Sequence, residues 1–454
     1  MSAPITVQRP DWVNDAVFYQ IFPDRFARSA NARTDVQPWG SAPTRDNFLG
    51  GDLAGITEHL DHLSGLGVTA IYLTPIFAAN TNHRYDTTDY TRIDPRLGDD
   101  AAFDALVDAA HGRGIRIILD AVFHHCGEAH PAFQDVKQRG PASPYADWFF
   151  VDSYPVHADP APSYETCSGC WYLPKLNVDN PHLRAHLFDV VRSWTGRGID
   201  GWRLDVPYMM NNPGFWSQFR SVVREIKPDA YIVAEVWDDA GEWTTGNTSD
   251  AAMNYQLRDA LLNFFVDRRT GAAALADRVN QIDQDAGNAA GHMLNLLASH
   301  DTARTRTSCG GDRDVALLAI STTFAMRGAP MIYYGDEIGL TGFNDPECRG
   351  SMPWDRAQWD EQTMAALKAV VQLRTKNVAL RRGSQILDAP IDDVIRILRT
   401  HPEQTVAVLA NRADIPAGVP LGRPGRDLLT GTLLQAGVVQ LPRRGIMFVE
   451  MDSR

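Results

Sequence analysis

The chain has 454 residues, 44% hydrophobic and 22% charged, which is the composition of an ordinary globular protein with room for one large domain and smaller ones. Its formal net charge of −13, without a basic cluster, argues against nucleic acids and anionic membranes as partners and favours a neutral substrate. The start of the chain lacks a secretory pattern and no later stretch is long and apolar enough to cross a bilayer, so we predict a cytoplasmic protein.

Strands and helices alternate along most of the chain. The predicted strands cover 17–22, 70–74, 116–122, 199–204, 231–234, 292–297 and 329–333. The predicted helices cover 56–66, 103–110, 183–194, 213–226, 255–265, 314–326 and 362–376. About eight such units fit between residues 15 and 376, so the pattern predicts an α/β fold with a (β/α)8 TIM barrel.

Two stretches depart from this alternation. Residues 126–179 are rich in Pro, Gly, Ser and aromatic side chains and predict a small domain inserted after the third strand. From about residue 380, short alternating apolar runs predict a C-terminal antiparallel β-sandwich. We therefore assign 1–125 and 180–378 to the barrel, 126–179 to the inserted domain and 379–454 to the C-terminal domain, and we expect no domain before the barrel.

The five cysteines do not resemble a disulfide framework. Cys167 and Cys170 have the spacing of half a zinc site, but the sequence offers no second pair with matching spacing. We interpret the cysteines as free thiols or as one local disulfide, and we predict no metal ligands.

Charged residues follow several predicted strands at their carboxyl ends. These residues are Asp120, Arg203, Asp205, Glu235 and Asp301. In a barrel the carboxyl ends of all strands meet on one rim, where catalytic groups are supplied by different strands. An Arg–Asp pair at a strand end can also be purely structural, and loops at a rim carry charge because they are solvated. Asp120, Glu235 and Asp301 are expected on the same rim as the Arg203–Asp205 pair, and this joint placement favours a catalytic site.

Four segments in this order resemble the ordered motifs of the α-amylase family of glycoside hydrolases, family 13. They are Asp-Ala-Val-Phe-His-His at 120–125, Gly-Trp-Arg-Leu-Asp at 201–205, Glu-Val-Trp at 235–237 and Ser-His-Asp at 299–301. Further agreement lies at 18–26, 50–53, 83–90 and 334–338. Leu-Pro-Lys-Leu-Asn at 173–177 resembles the motif of the branch that holds cyclomaltodextrinases, neopullulanases and maltogenic amylases.

The resemblance implies a role for each matching residue. Asp205 would be the nucleophile, Glu235 the general acid and base, and Asp301 the acid that binds the sugar hydroxyls. Asp120 would support Arg203, and the other expected substrate contacts are His83, Tyr85, His125, Arg203, His300, Asp345 and Arg349.

Retaining cleavage needs one carboxylate that attacks the anomeric carbon and one carboxylic acid that protonates the leaving oxygen, about 5 Å apart. We expect Arg203 to keep Asp205 ionised, and we expect burial near other acids to raise the pKa of Glu235.

The chain departs from the family pattern at positions linked to calcium. His124 stands where the family usually has a calcium-binding Asn, and Lys175 stands where many amylases have Asp, so the usual structural calcium site looks lost. A different calcium site in the loop between residues 26 and 51 stays open, and we expect no required cofactor. Val-Pro-Tyr-Met at 206–209 replaces the Ala-Asn-Glu that follows the Val in the branch, which leaves the choice between α-1,4 and α-1,6 bonds open.

The sequence thus predicts a retaining α-glucan hydrolase acting on α-1,4 or α-1,6 bonds of short or cyclic malto-oligosaccharides, of the cyclodextrin, pullulan or cyclic maltosyl-maltose type. The alternatives are an α-glucosidase or transglycosylase of the same family, a non-catalytic relative and, less favoured by the carboxylate-rich rim, a metal-dependent barrel hydrolase. The expected partner is an oligosaccharide, with neither nucleic acid nor membrane. A homodimer would have to use a surface other than the N-terminal domain that the branch commonly carries.

Overall fold

The computed structural model describes residues 8–210 and 212–452. Eight parallel strands, β1 to β8, build its central sheet. They are Phe18–Ile21, Ala70–Leu73, Arg116–Ala121, Gly201–Leu204, Tyr231–Ala234, Ala251–Ala252, Leu294–Asn295 and Ala329–Tyr333. The strands are hydrogen-bonded in the order β6-β5-β4-β3-β2-β1-β8-β7, and a parallel bridge between Met253 and Leu294 joins β6 to β7. The sheet therefore closes into the predicted barrel.

Helices cover the outside of the barrel. They are Leu53–Glu58, Leu60–Leu66, Asp100–His111, Pro181–Gly196, Pro213–Ile226, Tyr255–Phe265, Ala272–Ala286, Thr305–Ser308, Arg313–Ala325 and Glu361–Lys376, with short turns at Pro23–Phe26 and Val378–Arg382. Two of them begin where Asn caps the first turn and Pro follows: Asn180 accepts bonds from the backbone N–H groups of His182 and Leu183, and Asn212 accepts a bond from that of Phe215.

Three details of the predicted elements are wrong. The helix predicted over 56–66 is two helices that meet at His59, whose ψ of 11° interrupts the first. The strand predicted over 292–297 is only Leu294–Asn295, and the sixth strand and the helix Ala272–Ala286 were not predicted. A two-residue strand of alanines has neither the length nor the alternation by which strands are recognised.

The segment between β3 and the helix Pro181–Gly196 folds over the carboxyl end of the barrel. It contains the helix Pro131–Arg139 and several isolated antiparallel bridges, among them His125 with Lys175 and Phe149 with Leu176. A hairpin of Phe77–Ala79 and Thr87–Ile93, in the loop after β2, contacts it: the Tyr90 hydroxyl donates to the backbone oxygens of Val122 and His125.

The C-terminal part confirms the predicted antiparallel sandwich. Its strands, β9 to β16, are Ser384–Ile391, Val394–His401, Gln404–Asn411, Ala417–Leu421, Gly425–Asp427, Leu433–Leu434, Gly437–Leu441 and Ile446–Met451. Six form a sheet in the order β9-β10-β11-β16-β13-β14, and β12 pairs with β15. A separate apolar core that includes Val394, Leu409, Val419 and Leu441 lies between the two sheets. The assigned limits at 125/126, 179/180 and 378/379 stay predictions.

All five cysteines are free thiols. Among the described residues, no helix combines the length and the apolar character needed to cross a membrane.

Strand β4 depends on a glycine at its first residue. A Cβ atom at Gly201 would lie 2.1 Å from the backbone oxygen of Tyr231 on β5, to which the strand is paired. We expect Gly201→Ala to destabilise the fold by about 1–3 kcal/mol, the usual cost of overpacking a rigid contact. The measurement is the midpoint of urea unfolding.

Gly196→Ala is the matched control for that substitution. Gly196 ends the helix that precedes β4, and a Cβ there meets nothing within 4 Å. Alanine is favoured over glycine in helices by roughly 0.5–1 kcal/mol, so this variant should unfold at the same or a higher urea concentration. Equal stability of the two variants would contradict the role of Gly201.

Candidate active site

The barrel brings the predicted acids together because three neighbouring strands present them at the same level. Asp120 and Arg203 are directly paired residues of β3 and β4, and Asp205 and Glu235 are the first residues after β4 and β5. His300 and Asp301 lie in the loop after β7, and Asp345 and Arg349 in the loop after β8. His83 and Tyr85 come from the turn of the hairpin after β2.

Arg203 is the centre of this cluster. Its Nη1 lies 2.8 Å from Oδ1 of Asp120 and 2.7 Å from Oδ1 of Asp205, and its Nη2 lies 2.9 Å from Oε2 of Glu235. The Arg203 side chain is 1% exposed and the three carboxylate side chains are at most 7% exposed. One buried guanidinium thus fixes the positions of three carboxylates.

Glu235 is held by two further donors. The backbone N–H of Val206 donates to Oε2 at 2.9 Å, and the indole Nε1 of Trp237 donates to Oε1 at 3.2 Å. Val206 has φ 34° and ψ 47°, a left-handed conformation that is strained for a β-branched residue. This strained residue directly follows Asp205, and its conformation directs the Val206 N–H toward Glu235.

Asp205 is bound more sparsely. Arg203 donates to its Oδ1, while no hydrogen bond from the described part of the chain reaches Oδ2. One oxygen is therefore anchored and the other is left for a reacting atom.

Tyr85 links the two halves of the rim. Its hydroxyl lies 2.9 Å from Oδ2 of Asp120 and 2.6 Å from Nε2 of His300, and its ring stacks on His300 with an angle of 4° between the planes. Tyr72 donates to the same Asp120 oxygen at 2.7 Å, and Gln20 binds Nδ1 of His300 at 2.8 Å. These bonds fix the orientation of His300.

Asp301 is bound from the opposite side. Nη2 of Arg349 lies 3.2 Å from its Oδ1, and Nε2 of His300 lies 3.1 Å from its Oδ2. Arg349 also lies 3.1 Å from Asp345, which in turn binds Arg45. The predicted pair Asp345–Arg349 therefore contacts Asp301 directly.

The histidines are neutral hydrogen-bonding groups. Burial lowers the pKa of His83 to about 3 and that of His125 to about 3, and it lowers the pKa of His300 well below its usual range. His83 accepts the backbone N–H of Tyr85 at 3.1 Å. The Nε2 atom of His125 is buried without a partner, so this imidazole has a polar atom left for a ligand.

Burial also raises the pKa of each carboxyl group in the cluster. The pKa of Asp205 rises well above its usual range through burial, with Glu235 and Asp120 adding to the rise against Arg203. Burial raises the pKa of Asp120, Glu235 and Asp301 too. Arg203 lowers the pKa of Asp205 against this burial, and the expectation that it keeps Asp205 ionised stays a prediction.

Sequence reasoning missed several residues of the site. Tyr72, Gln20 and Arg45 each bind a predicted residue. Trp237 belongs to one of the recognised motifs, but its bond to Glu235 was not predicted. Gln20 and Tyr72 carried a usable signal, since a polar atom on a strand buried on both faces needs a partner. The strain at Val206 carried none, because nothing in a valine predicts a positive φ.

The residues of this chain at the family's usual calcium position do not suit calcium. Its region holds the imidazole of His124 and the ammonium of Lys175, which is paired with Glu165 at 2.6 Å. Calcium takes oxygen ligands, so neither group suits it. In the loop between 26 and 51, the nearby Asp52 carboxylate is occupied by Ser29 and Gly55.

A cavity of about 950 Å³ lies beside the site, on the other side of the segment 342–350. Trp39, Phe343 and Trp354 line it, and none of the clustered acids does. The acids face the open end of the barrel instead, and their chemistry identifies the site better than the size of this cavity does.

The chain is similar to known proteins over most of its length. The family model described as "Alpha amylase, catalytic domain" matches residues 20–385. A cyclomaltodextrinase of Geobacillus thermopakistaniensis is 44% identical over 98% of this chain and 78% of its own length. The intracellular maltogenic amylase of Bacillus subtilis is 42% identical over 92% of this chain and 71% of its own length. The structure of the ligand-free cyclic α-maltosyl-(1→6)-maltose hydrolase from Arthrobacter globiformis superposes with a TM-score of 0.92, at 47% identity over 98% of this chain and all of that one.

Proposed function

The chain belongs to the α-amylase family of glycoside hydrolases, and we propose that it hydrolyses short or cyclic malto-oligosaccharides by a retaining double displacement at Asp205 and Glu235. The observation that carries this proposal is the single guanidinium of Arg203, which holds both carboxylates by different nitrogens. Contact of both carboxylates with one guanidinium supports a short separation, such as the roughly 5 Å of retaining glycosidases, over the roughly 6.5–9.5 Å of inverting enzymes.

The unbound oxygen of Asp205 then serves as the nucleophile. It forms a bond to the anomeric carbon while the glycosidic C–O bond breaks, and the proton of Glu235 passes to the leaving oxygen. A water molecule that gives a proton back to Glu235 attacks the same carbon and releases Asp205. Asp301, Arg349 and the neutral histidines bind the hydroxyls of the same sugar.

The contacts of Glu235 indicate which of its oxygens carries the proton. Oε2 accepts from Val206 and lies against Arg203, so it is the oxygen that bears negative charge. Oε1 has only the indole N–H of Trp237, and a protonated Oε1 can accept that bond and still donate to a glycosidic oxygen. The proton that Glu235 donates therefore belongs on Oε1 when Asp205 attacks.

We propose a cyclic tetrasaccharide with alternating α-1,4 and α-1,6 bonds as the preferred substrate. The support is the 47% identity to a hydrolase of cyclic α-maltosyl-(1→6)-maltose over 98% of this chain and all of that one. Aromatic rings suited to stacking on sugars stand at the rim, since Trp171 is 51% exposed and Tyr208 is 48% exposed. Tyr208 belongs to the segment 206–209 where this chain departs from the cyclomaltodextrinase branch.

Three further expectations belong to this proposal. We place the enzyme in the cytoplasm, supported by a relative described as intracellular. We propose that the reaction requires no metal cofactor, supported by the misfit of the usual calcium position. We propose a homodimer, which light scattering on the purified chain would test.

The substrate panel is the direct test of the proposed function. We expect turnover of the cyclic tetrasaccharide with kcat/KM above that for cyclodextrins, pullulan and maltotriose, because the whole chain follows the hydrolase of that compound. Proton NMR during the first turnovers should show the α-anomer, since two displacements retain configuration. A β-anomeric first product would exclude the double displacement. Longer products formed after glucose or maltose is added would show that sugars compete with water as acceptors.

Glu235→Gln tests the role of the general acid. The amide cannot protonate the leaving oxygen, so we expect kcat to fall by about 10²–10⁴-fold or more with substrate binding preserved. The measurement is single-turnover kinetics together with calorimetric binding of the cyclic tetrasaccharide. Wild-type rates from this variant would remove Glu235 from the mechanism.

Trp237→Phe tests the assignment of the proton to Oε1. The indole N–H stabilises ionised Glu235, so its removal should raise the pKa of Glu235, whose usual value burial already raises. Loss of this proton sets the basic limb of the kcat/KM profile, which should therefore move to higher pH. Phenylalanine keeps the stacking on Tyr255, now 3.9 Å between ring centroids.

Trp359→Phe is the control, because the Trp359 indole donates to Pro353 and contacts none of the acids. Its basic limb should coincide with that of the wild type. If the basic limb of the kcat/KM profile of Trp237→Phe stays in place or moves to lower pH, this would contradict the assignment of the proton to Oε1.

A further inference from the structure

Three soft or borderline metal ligands meet behind the acids. One ligand atom from each of His124, His125 and Cys167 lies within 4.8 Å of the others, and the Nδ1 atoms of the two histidines are 3.3 Å apart. All three residues are buried, with exposed fractions of 1%, 2% and 8%. Within residues 8–210 and 212–452, this is the only group of three or more His, Cys, Asp or Glu residues close enough to share one ion.

The backbone, rather than any sequence spacing, brings these ligands together. His124 and His125 follow β3, and the inserted segment returns to them through the bonds from Leu176 N–H to the His124 oxygen and from Cys126 N–H to the Pro174 oxygen. The Cys167 N–H donates to the Leu173 oxygen, which positions the cysteine turn over the histidines. The sequence showed half a zinc site in Cys167 and Cys170 and no partner for it. The structure supplies two imidazoles as partners for Cys167.

The geometry points to a binding site for zinc or a similar thiophilic divalent ion at His124, His125 and Cys167, with the fourth position open to water. Zinc prefers four-coordinate sites of imidazole and thiolate, with bonds of about 2.0–2.1 Å to nitrogen and about 2.3 Å to sulfur. Two nitrogens at these bond lengths on a tetrahedron lie about 3.3–3.4 Å apart. The observed 3.3 Å between the two Nδ1 atoms matches this separation.

The surroundings of the site permit a cation. The ammonium of Lys175, whose charge acts on His124, is paired with Glu165 at 2.6 Å. The polar contact of Cys167 is with the Ser168 hydroxyl at 4.0 Å, so binding a metal breaks no strong hydrogen bond of the thiol. On binding, the thiol proton is replaced by the metal and passes to solvent.

An ion at this place would act on catalysis through His125. His125 is a predicted sugar contact, and its Nε2 has no hydrogen-bond partner among the described residues. A metal on Nδ1 fixes the ring and places a positive charge beside Asp205 and Glu235, so bound zinc should inhibit turnover. This consequence rests on the proposed function, whereas the binding of zinc does not.

The experiment titrates the chelator-treated, full-length protein with Co²⁺, a spectroscopic substitute for zinc, and then displaces it with Zn²⁺. We expect one equivalent to bind, with a thiolate-to-cobalt charge-transfer band in the near ultraviolet and tetrahedral d–d bands that zinc abolishes. Cys167→Ser should lose the charge-transfer band and weaken zinc binding by more than the roughly 10- to 100-fold lost with an outer-shell partner. His124→Asn, which introduces an oxygen ligand, should also weaken zinc.

Cys170→Ser is the matched control, since it removes the other thiol of the same turn, which is not among the three ligands. It should bind cobalt and zinc as the wild type does. A folded wild type without the thiolate band, or equal zinc affinity in Cys167→Ser and the wild type, would overturn the site. So would loss of the band in Cys170→Ser but not in Cys167→Ser.

Activity is read separately on the same samples. Zinc should lower kcat/KM of the wild type and of Cys170→Ser at least about tenfold, with full recovery after chelation, and should leave Cys167→Ser unaffected at the same concentration. Zinc binding without inhibition would overturn the coupling through His125 but not the site. A metal-free protein without any turnover would contradict the proposed function while the cobalt spectra still decide the metal site.

Discussion

The ion-pair network of Arg203 is the interaction on which the site depends. Burying one guanidinium with three carboxylates costs several kcal/mol per ion in desolvation, and only close pairing repays it. Removing one member of such a group leaves unpaired buried charge, at a typical cost of about 3–5 kcal/mol. The excess of carboxylates over guanidinium also raises the pKa of Asp205, since Glu235 and Asp120 add to the effect of burial. The same group of side chains therefore sets both the geometry and the pKa of the nucleophile.

Strand register explains why this network forms. Asp120 and Arg203 are paired residues on adjacent strands, and Asp205 and Glu235 each follow the last residue of a strand. Gly201 lets β4 approach β5 closely, and so sets the level at which Arg203 meets Glu235. The strain at Val206 belongs to this arrangement, because it turns a backbone N–H toward Glu235 directly beside the nucleophile. The barrel thus positions the acids mainly through its backbone.

The barrel, the sandwich and the rim of acids could be predicted from the sequence because each depends on periodicity or on residues at strand ends. Elements without periodicity could not be predicted, such as the two alanines of β6 and the break at His59. The effects that act on the pKa of Asp205 could not be weighed from the sequence for another reason. Sequence shows which charges are near, but the balance of burial against Arg203 depends on how many carboxylates share it, and that count needs the folded rim.

The group of His124, His125 and Cys167 could not be predicted from the sequence either. Residue types at 124 and 175 already excluded the usual calcium ligands, since an imidazole and an ammonium do not suit a hard cation. Replacing an oxygen ligand by an imidazole does not simply abolish a site, however, because it changes which ions the position favours. Only the fold of the inserted segment brings Cys167 against the two histidines, so the preference for a soft ion arises from two segments that are 42 residues apart in the chain, between 125 and 167.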